Sequence, residues 1–187
     1  MISIIDYKAG NLTSVKLALD ALGAESEVTS DPAAILAADR VVFPGVGAAR
    51  SAMANLRALG LEDTVRRCAA EKPFLGICLG MQIIFDRSEE DGGTDTLGLI
   101  PGQVRRFPSV PGCKVPQIGW NQVNGEREYY FVHSYYAEIC PFTTGVTEYA
   151  GVRFTAMIKK DRLWACQFHP EKSGRTGLEL MREWLRA

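Results

Sequence analysis

The sequence predicts an α/β fold: a mainly parallel sheet with helices on both faces, extended by antiparallel strands in the C-terminal half. Three observations carry this expectation. Short runs that are apolar at every position alternate with helix-periodic segments through the first half of the chain. Such runs suit strands buried on both faces, as parallel strands are. Past Thr96 the rhythm changes to runs of period-two character separated by short turns, which suits antiparallel pairing. The length, 187 residues, suits one domain spanning 1–187, with no repeat, low-complexity segment or linker composition to divide it.

Taken in order, Ile2 to Asp6 reads as the first strand, with Tyr7-Lys8-Ala9-Gly10-Asn11 in the loop after it. Leu12, Val15, Leu17, Leu19 and Leu22 recur at helical spacing, and Gly23 stands where a C′ glycine ends a helix. Glu25 to Thr29 is the second strand. Asp31-Pro32 pairs an N-cap with a proline at the first helical position and opens a short helix through Ala38. Val41-Val42-Phe43 is a buried strand, followed at once by Pro44-Gly45-Val46-Gly47. Helices are expected over about Ala48 to Leu59 and Leu61 to Ala70, then a strand over Phe74 to Ile77. Ser88 to Thr96 is acidic and contains glycine, as a surface loop would. Gly102 to Arg106, Gln117 to Val123, Tyr129 to Val132, Val152 to Ile158 and Leu163 to Phe168 read as strands. Thr176 to Arg186 reads as a closing amphipathic helix with Leu178, Met181 and Leu185 inward.

Composition removes several classes of function. The net charge is −1, and the basic pairs Arg66-Arg67 and Lys159-Lys160 are too short to form a nucleic-acid or membrane patch. The N-terminal stretch lacks the basic and apolar regions of a signal peptide, and no apolar run approaches about 18 residues. The five cysteines are an odd set with no Cys-x-x-Cys, so a reduced, cytoplasmic setting is expected rather than disulfides or zinc.

The chemistry concentrates at Gly76-Ile77-Cys78-Leu79-Gly80. A strand, a sharp turn and a helix starting near Leu79 would make this a nucleophile elbow with Cys78 at its apex. Small neighbours are required there, and the helix N-terminus would favour thiolate. The bland alternative is a buried core cysteine beside a glycine-rich turn. A cysteine nucleophile needs a histidine base and a group to orient it. His169 ends an apolar strand, and Glu171 follows it across Pro170, at a spacing that lets the carboxylate fold back onto the imidazole. His133 also ends an apolar strand but has no adjacent acid, so it reads as structural or substrate-lining. Acyl chemistry also needs an oxyanion hole. The Leu79 N–H is one donor, and Val46, between two glycines, supplies the second candidate.

Gly76-Ile77-Cys78-Leu79-Gly80-Met81-Gln82, together with Phe168-His169-Pro170-Glu171, resembles the class I (triad) glutamine amidotransferases. Asp6-Tyr7…Gly10-Asn11-Leu12, Pro44-Gly45-Val46-Gly47, Gly119-Trp120-Asn121 and His133-Ser134-Tyr135 narrow the resemblance to their imidazole glycerol phosphate synthase glutaminase branch, nearly end to end. Lys8 departs from the glycine more often expected at its position. The resemblance implies a three-layer, flavodoxin-like class I glutamine amidotransferase fold. It further implies that Cys78 forms a glutamyl thioester, His169 moves the protons and Glu171 orients His169. Gly45, Gly47, Gln82, Glu90 and Ser134-Tyr135 would bind L-glutamine. Trp120, Asn121 and Lys172 would face a (β/α)₈ cyclase barrel, the heterodimer partner that receives the ammonia in histidine biosynthesis. It implies no metal and no organic cofactor. Three alternatives remain: a glutaminase serving another product such as anthranilate or pyridoxal phosphate, a cysteine-type α/β-hydrolase, and a non-catalytic flavodoxin-like binding module. The hydrolase is disfavoured by an acid that follows the histidine instead of preceding it.

Overall fold

A computed structural model describes residues 1–187. In chain order the elements are β1 (Ile2–Ile5), α1 (Leu12–Ala21), β2 (Ser26–Thr29), α2 (Pro32–Ala37), β3 (Arg40–Gly45), α3 (Ala49–Ala58), α4 (Glu62–Glu71) and β4 (Phe74–Cys78). Then follow α5 (Leu79–Gln82), β5 (Arg87–Ser88), β6 (Thr94–Asp95), β7 (Gln103–Arg106), β8 (Gln117–Val123), β9 (Arg127–His133) and β10 (Tyr135–Ala137). The chain closes with β11 (Thr143–Tyr149), β12 (Val152–Lys160), β13 (Leu163–Cys166) and α6 (Gly174–Arg186). The main sheet runs β2-β1-β3-β4-β13-β12-β10-β7-β5-β6, with β11 also on β12. Pairing is parallel from β2 to β13 and antiparallel from β13 through β12 and β10 to β7. The expected parallel sheet with an antiparallel extension is therefore present.

The apolar runs work as the period of two requires. On β3, Val41 and Phe43 pack into the core beneath α2, α3 and α4, while Val42 packs on the opposite side with residues of α1 and α6. Phe74 and Leu75 divide between the two cores in the same way. Each fully buried side chain of this size contributes about 1.5–3 kcal/mol, so strands apolar on both faces are the best-anchored part of the fold. The C-terminal ends of β1, β3, β4 and β13 carry the loops that build the site, where open parallel sheets place their ligands.

Helix ends follow their signals. The Asp31 carboxylate accepts from the Ala33 N–H at 3.0 Å, and Gly23 takes the left-handed conformation (φ +71°) after α1. Four details differ from expectation. Leu17 is 62% exposed, because Val15 and Leu19 set the buried stripe of α1 and residue 17 falls on its far side. On α6 the buried stripe is Gly177, Leu180, Met181 and Trp184, with Gly177 packed so closely on the Pro170 carbonyl that a Cβ there would lie 1.9 Å from it; Leu178 and Leu185 flank the stripe, half-buried. The Ser88–Thr96 loop contains the two-residue strands β5 and β6 around a 3₁₀ turn at Glu90–Gly92. Finally, β8 and β9 form their own hairpin instead of joining the main sheet; Val123, Tyr129 and Phe131 turn one face of it onto the core. No helix is long and apolar enough to cross a membrane.

Candidate active site

Cys78 ends β4 with φ 54° and ψ −109°, a left-handed φ that a non-glycine residue adopts only where the surroundings force it. The surroundings are visible. A Cβ on Gly80 would lie 1.9 Å from the Phe43 carbonyl oxygen, so α5 can pack against β3 only with glycine there. The helix after the elbow is shorter than expected: α5 has four residues, and the chain leaves it at Ile83. Its macrodipole is correspondingly small.

The sulfur sits in a pocket of about 290 Å³. Val46, Gly47, Cys78, Leu79, Gln82, Glu90, Ser134, Tyr135 and His169 all line it, as do His133 and Pro116. Cys78 is 6% exposed; its Sγ accepts from Gln167 Nε2 at 3.7 Å and lies 4.0 Å from the Val132 carbonyl.

His169 reaches the site from the end of β13. Its Nδ1 lies 2.7 Å from Glu171 Oε1, and both side chains are wholly buried. Its Nε2 is buried without a hydrogen-bond partner and shares the pocket wall with Cys78. Burial opposes charging this imidazole, but its interactions with neighbouring Cys78 and with Glu171 outweigh that and hold its pKa up at about 10. Asn11, from the loop after β1, donates Nδ2 to Glu171 Oε1 and lies 3.3 Å from His169 Nδ1. Its backbone is left-handed (φ +63°), which turns the side chain into the site.

Glu90 also lines the pocket, and its Oε2 accepts from the Ala49 N–H at 2.7 Å. Burial raises its pKa, the Ala49 bond lowers it, and Asp91 adds to the rise. Gln82 donates Nε2 to the Tyr135 carbonyl at 2.9 Å and to Gln167 Oε1 at 3.0 Å, leaving its own oxygen uncommitted. Gln167 thus links Gln82 to the sulfur. His133 is buried, with Nδ1 2.7 Å from the Tyr135 carbonyl and Nε2 3.1 Å from Gln117 Oε1. Burial depresses its pKa to about 4, so it is neutral at physiological pH and props the pocket wall.

Three expected residues stand differently. Gly45 is buried at the end of β3 opposite Cys78 and does not line the pocket; the Tyr7 hydroxyl stands against it. The Val46 N–H does not face the sulfur: it donates to the Ala9 carbonyl at 2.8 Å. Asn121 is on the opposite face of β8 from Trp120, with its amide bound to the Glu148 carbonyl at 3.0 Å. Trp120 is 56% exposed, with the Tyr130 ring edge-on at 6.2 Å, and Lys172 is exposed in the turn after Glu171. Asn11 and Gln167 were not among the expected site residues.

The profile of the family "Glutamine amidotransferase class-I" matches residues 3–186. The chain is 47% identical, over 99% of its length and 93% of the relative's, to the imidazole glycerol phosphate synthase subunit HisH of Herpetosiphon aurantiacus. It is 49% identical to the subunit of the same name from Methanothermobacter thermautotrophicus, covering 99% of this chain and 98% of that one. A crystal structure of a glutamine amidotransferase superposes with a TM-score of 0.76 at 20% identity, over 99% of this chain and 97% of the other. The pocket geometry and these matches agree: the chain belongs to the class-I glutamine amidotransferase family.

Proposed function

We propose that the chain is the glutaminase subunit of an imidazole glycerol phosphate synthase. It hydrolyses glutamine to glutamate and ammonia and passes the ammonia to a cyclase barrel bound as a heterodimer, in the cytoplasm. The observation that carries this reading is that Cys78, His169 and Glu90 line one pocket, with Glu171 buried behind His169 on its Nδ1.

Glu90 receives the α-ammonium of glutamine, and a charged hydrogen bond there rejects simple amides. Gln82 presents its free oxygen, and Gly47, Ser134 and Tyr135 close around the amino-acid end. Cys78 gives its proton to His169, and the sulfur attacks the carboxamide carbon. The Sγ–C bond forms, and the C–N bond breaks as His169 delivers that proton to the leaving ammonia. A water then attacks the thioester, His169 takes its proton, the C–S bond breaks, and glutamate leaves. Glu171 holds the imidazole in the tautomer and orientation that both steps need. No step calls on a metal or organic cofactor.

The oxyanion of each tetrahedral state is met by the Leu79 N–H. A second donor, the Val46 N–H, becomes available only when the Gly45–Val46 peptide turns, and one such donor is worth roughly 10² to 10³ in rate. The Val46–Ala9 bond supports reading the present arrangement as the resting one. Exposed Trp120 and Lys172 face the barrel in this reading.

The test is co-purification with a cyclase barrel, followed by assay of Cys78→Ala in the complex. Glutamine-dependent turnover is lost while turnover with free ammonia persists. Loss of both in a folded, assembled complex would contradict the division of labour.

A further inference from the structure

Tyr7 is fully buried, with its ring tilted against Phe43 at 4.9 Å between centroids. Its hydroxyl has no hydrogen-bond partner. A buried phenol usually finds one, so an orphan O–H calls for a reason. The hydroxyl is not at the edge of the core; it stands against the Gly45 backbone, where a Cβ on Gly45 would lie only 2.0 Å from it. Gly45 is the residue whose carbonyl belongs to the same peptide as the Val46 N–H.

A trans peptide points its N–H and its C=O in opposite directions. The Val46 N–H now points toward Ala9, in the loop after β1. The Gly45 carbonyl therefore points toward β4, where Gly45 pairs with Cys78. Turning the peptide exchanges the two. The N–H then faces Cys78, and the carbonyl faces the Tyr7–Ala9 side. The Ala9 carbonyl that now receives the Val46 N–H is an acceptor, so it cannot also receive the turned Gly45 carbonyl, which needs a donor. Tyr7 is the one side chain standing against Gly45 with an uncommitted O–H.

We propose that the Tyr7 hydroxyl is a positioning group for glutamine hydrolysis: it is the donor that receives the Gly45 carbonyl when the Gly45–Val46 peptide turns its N–H toward Cys78. This rests on the peptide switch described under the proposed function and names the group that balances its two states. In the resting state the phenol is the orphan and Val46 is bonded. In the active state the phenol–carbonyl bond replaces the Val46–Ala9 bond. Tyr7→Phe removes the orphan from the first state and the donor from the second, so both changes favour the resting state.

The test compares wild type and Tyr7→Phe, each in complex with the cyclase barrel, with and without saturating imidazole glycerol phosphate. A net hydrogen bond is worth up to roughly tenfold in an equilibrium. Glutamine hydrolysis by Tyr7→Phe without the nucleotide is expected to fall roughly tenfold in kcat, with KM unchanged. Bound nucleotide recovers part of the loss, and ammonia-dependent turnover does not change. The melting temperature stays level or rises, which a mere packing defect would not allow. If wild type responds to the nucleotide and Tyr7→Phe matches it in kcat under both conditions, Tyr7 has no such role, although the switch survives. A fall in kcat accompanied by a lowered melting temperature and reduced ammonia-dependent turnover would also overturn the inference, as structural damage. If wild type itself ignores the nucleotide, the switch fails and the inference falls with it.

Discussion

Glu171 Oε1 lies 2.7 Å from His169 Nδ1, with neither side chain exposed. A carboxylate so placed fixes which imidazole nitrogen faces the sulfur and stabilises the charged ring. In the proposed mechanism it does not form the covalent bond. Glu171→Gln is therefore expected to slow glutamine hydrolysis less than Cys78→Ala. The corresponding change in a serine triad costs roughly 10⁴-fold, and a cysteine, being intrinsically more nucleophilic, should lose less. Steady-state rates of both variants in the complex decide this; equal inactivity in folded proteins would give Glu171 another role.

Asn11 holds the same carboxylate oxygen from the other side. Removing that support should loosen Glu171 without touching glutamine. Asn11→Ala is expected to lower kcat by roughly three- to tenfold, the worth of one hydrogen bond, with KM unchanged. Asn11→Asp should cost more, because a second carboxylate would then face Glu171. Measured kcat and KM for the two variants check this; an unchanged kcat in both would show that Asn11 serves packing alone.

The two histidines pull stability in opposite pH directions. His133 is held at about 4 by burial, below its usual 6.5, so the unfolded chain takes up the proton first as pH falls. Stability is thus lost on going from pH 6.5 toward about 4. His169, raised to about 10, contributes stability that is fully present below pH 6.5 and is lost as pH rises through about 10. Urea midpoints between about pH 7 and about pH 4.5 should fall in wild type and fall less steeply in His133→Gln. Parallel curves for the two would contradict the assignment.

Much of the site was legible in the sequence because local chemistry specified it. Gly80 must be glycine for α5 to approach Phe43, and the His169-Pro170-Glu171 spacing folds an acid onto its base. The glycine expected at Lys8 has a local reason too: the φ there is +64°, a region where glycine is the easier residue, and nothing in the structure explains the lysine. What stayed hidden is what only the assembled sheet brings together. Asn11 and Glu171 lie 160 residues apart and meet because β1 and β13 end on the same edge of the sheet. The signal available was a polar side chain just past the C-terminal end of an apolar strand. Strand β11 was missed because Thr143-Thr144-Gly145 lacks a strand's apolar alternation; pairing on β12, with a bulge at Gly145, makes it one. The direction of the Val46 N–H is invisible for another reason: flanking glycines permit both orientations, and the Ala9 carbonyl selects one.

That selection is the centre of the account, and rates of glutamine hydrolysis test it most directly. They are to be measured for the isolated chain, for the complex with the cyclase barrel, and for the complex saturated with imidazole glycerol phosphate. The chain alone keeps the Val46–Ala9 bond and should be slow, the complex faster, and the nucleotide-bound complex fastest, by a factor approaching the roughly 10² to 10³ that one oxyanion donor is worth. Equal rates in all three would contradict the switch and mean that the second donor is either never supplied or never needed.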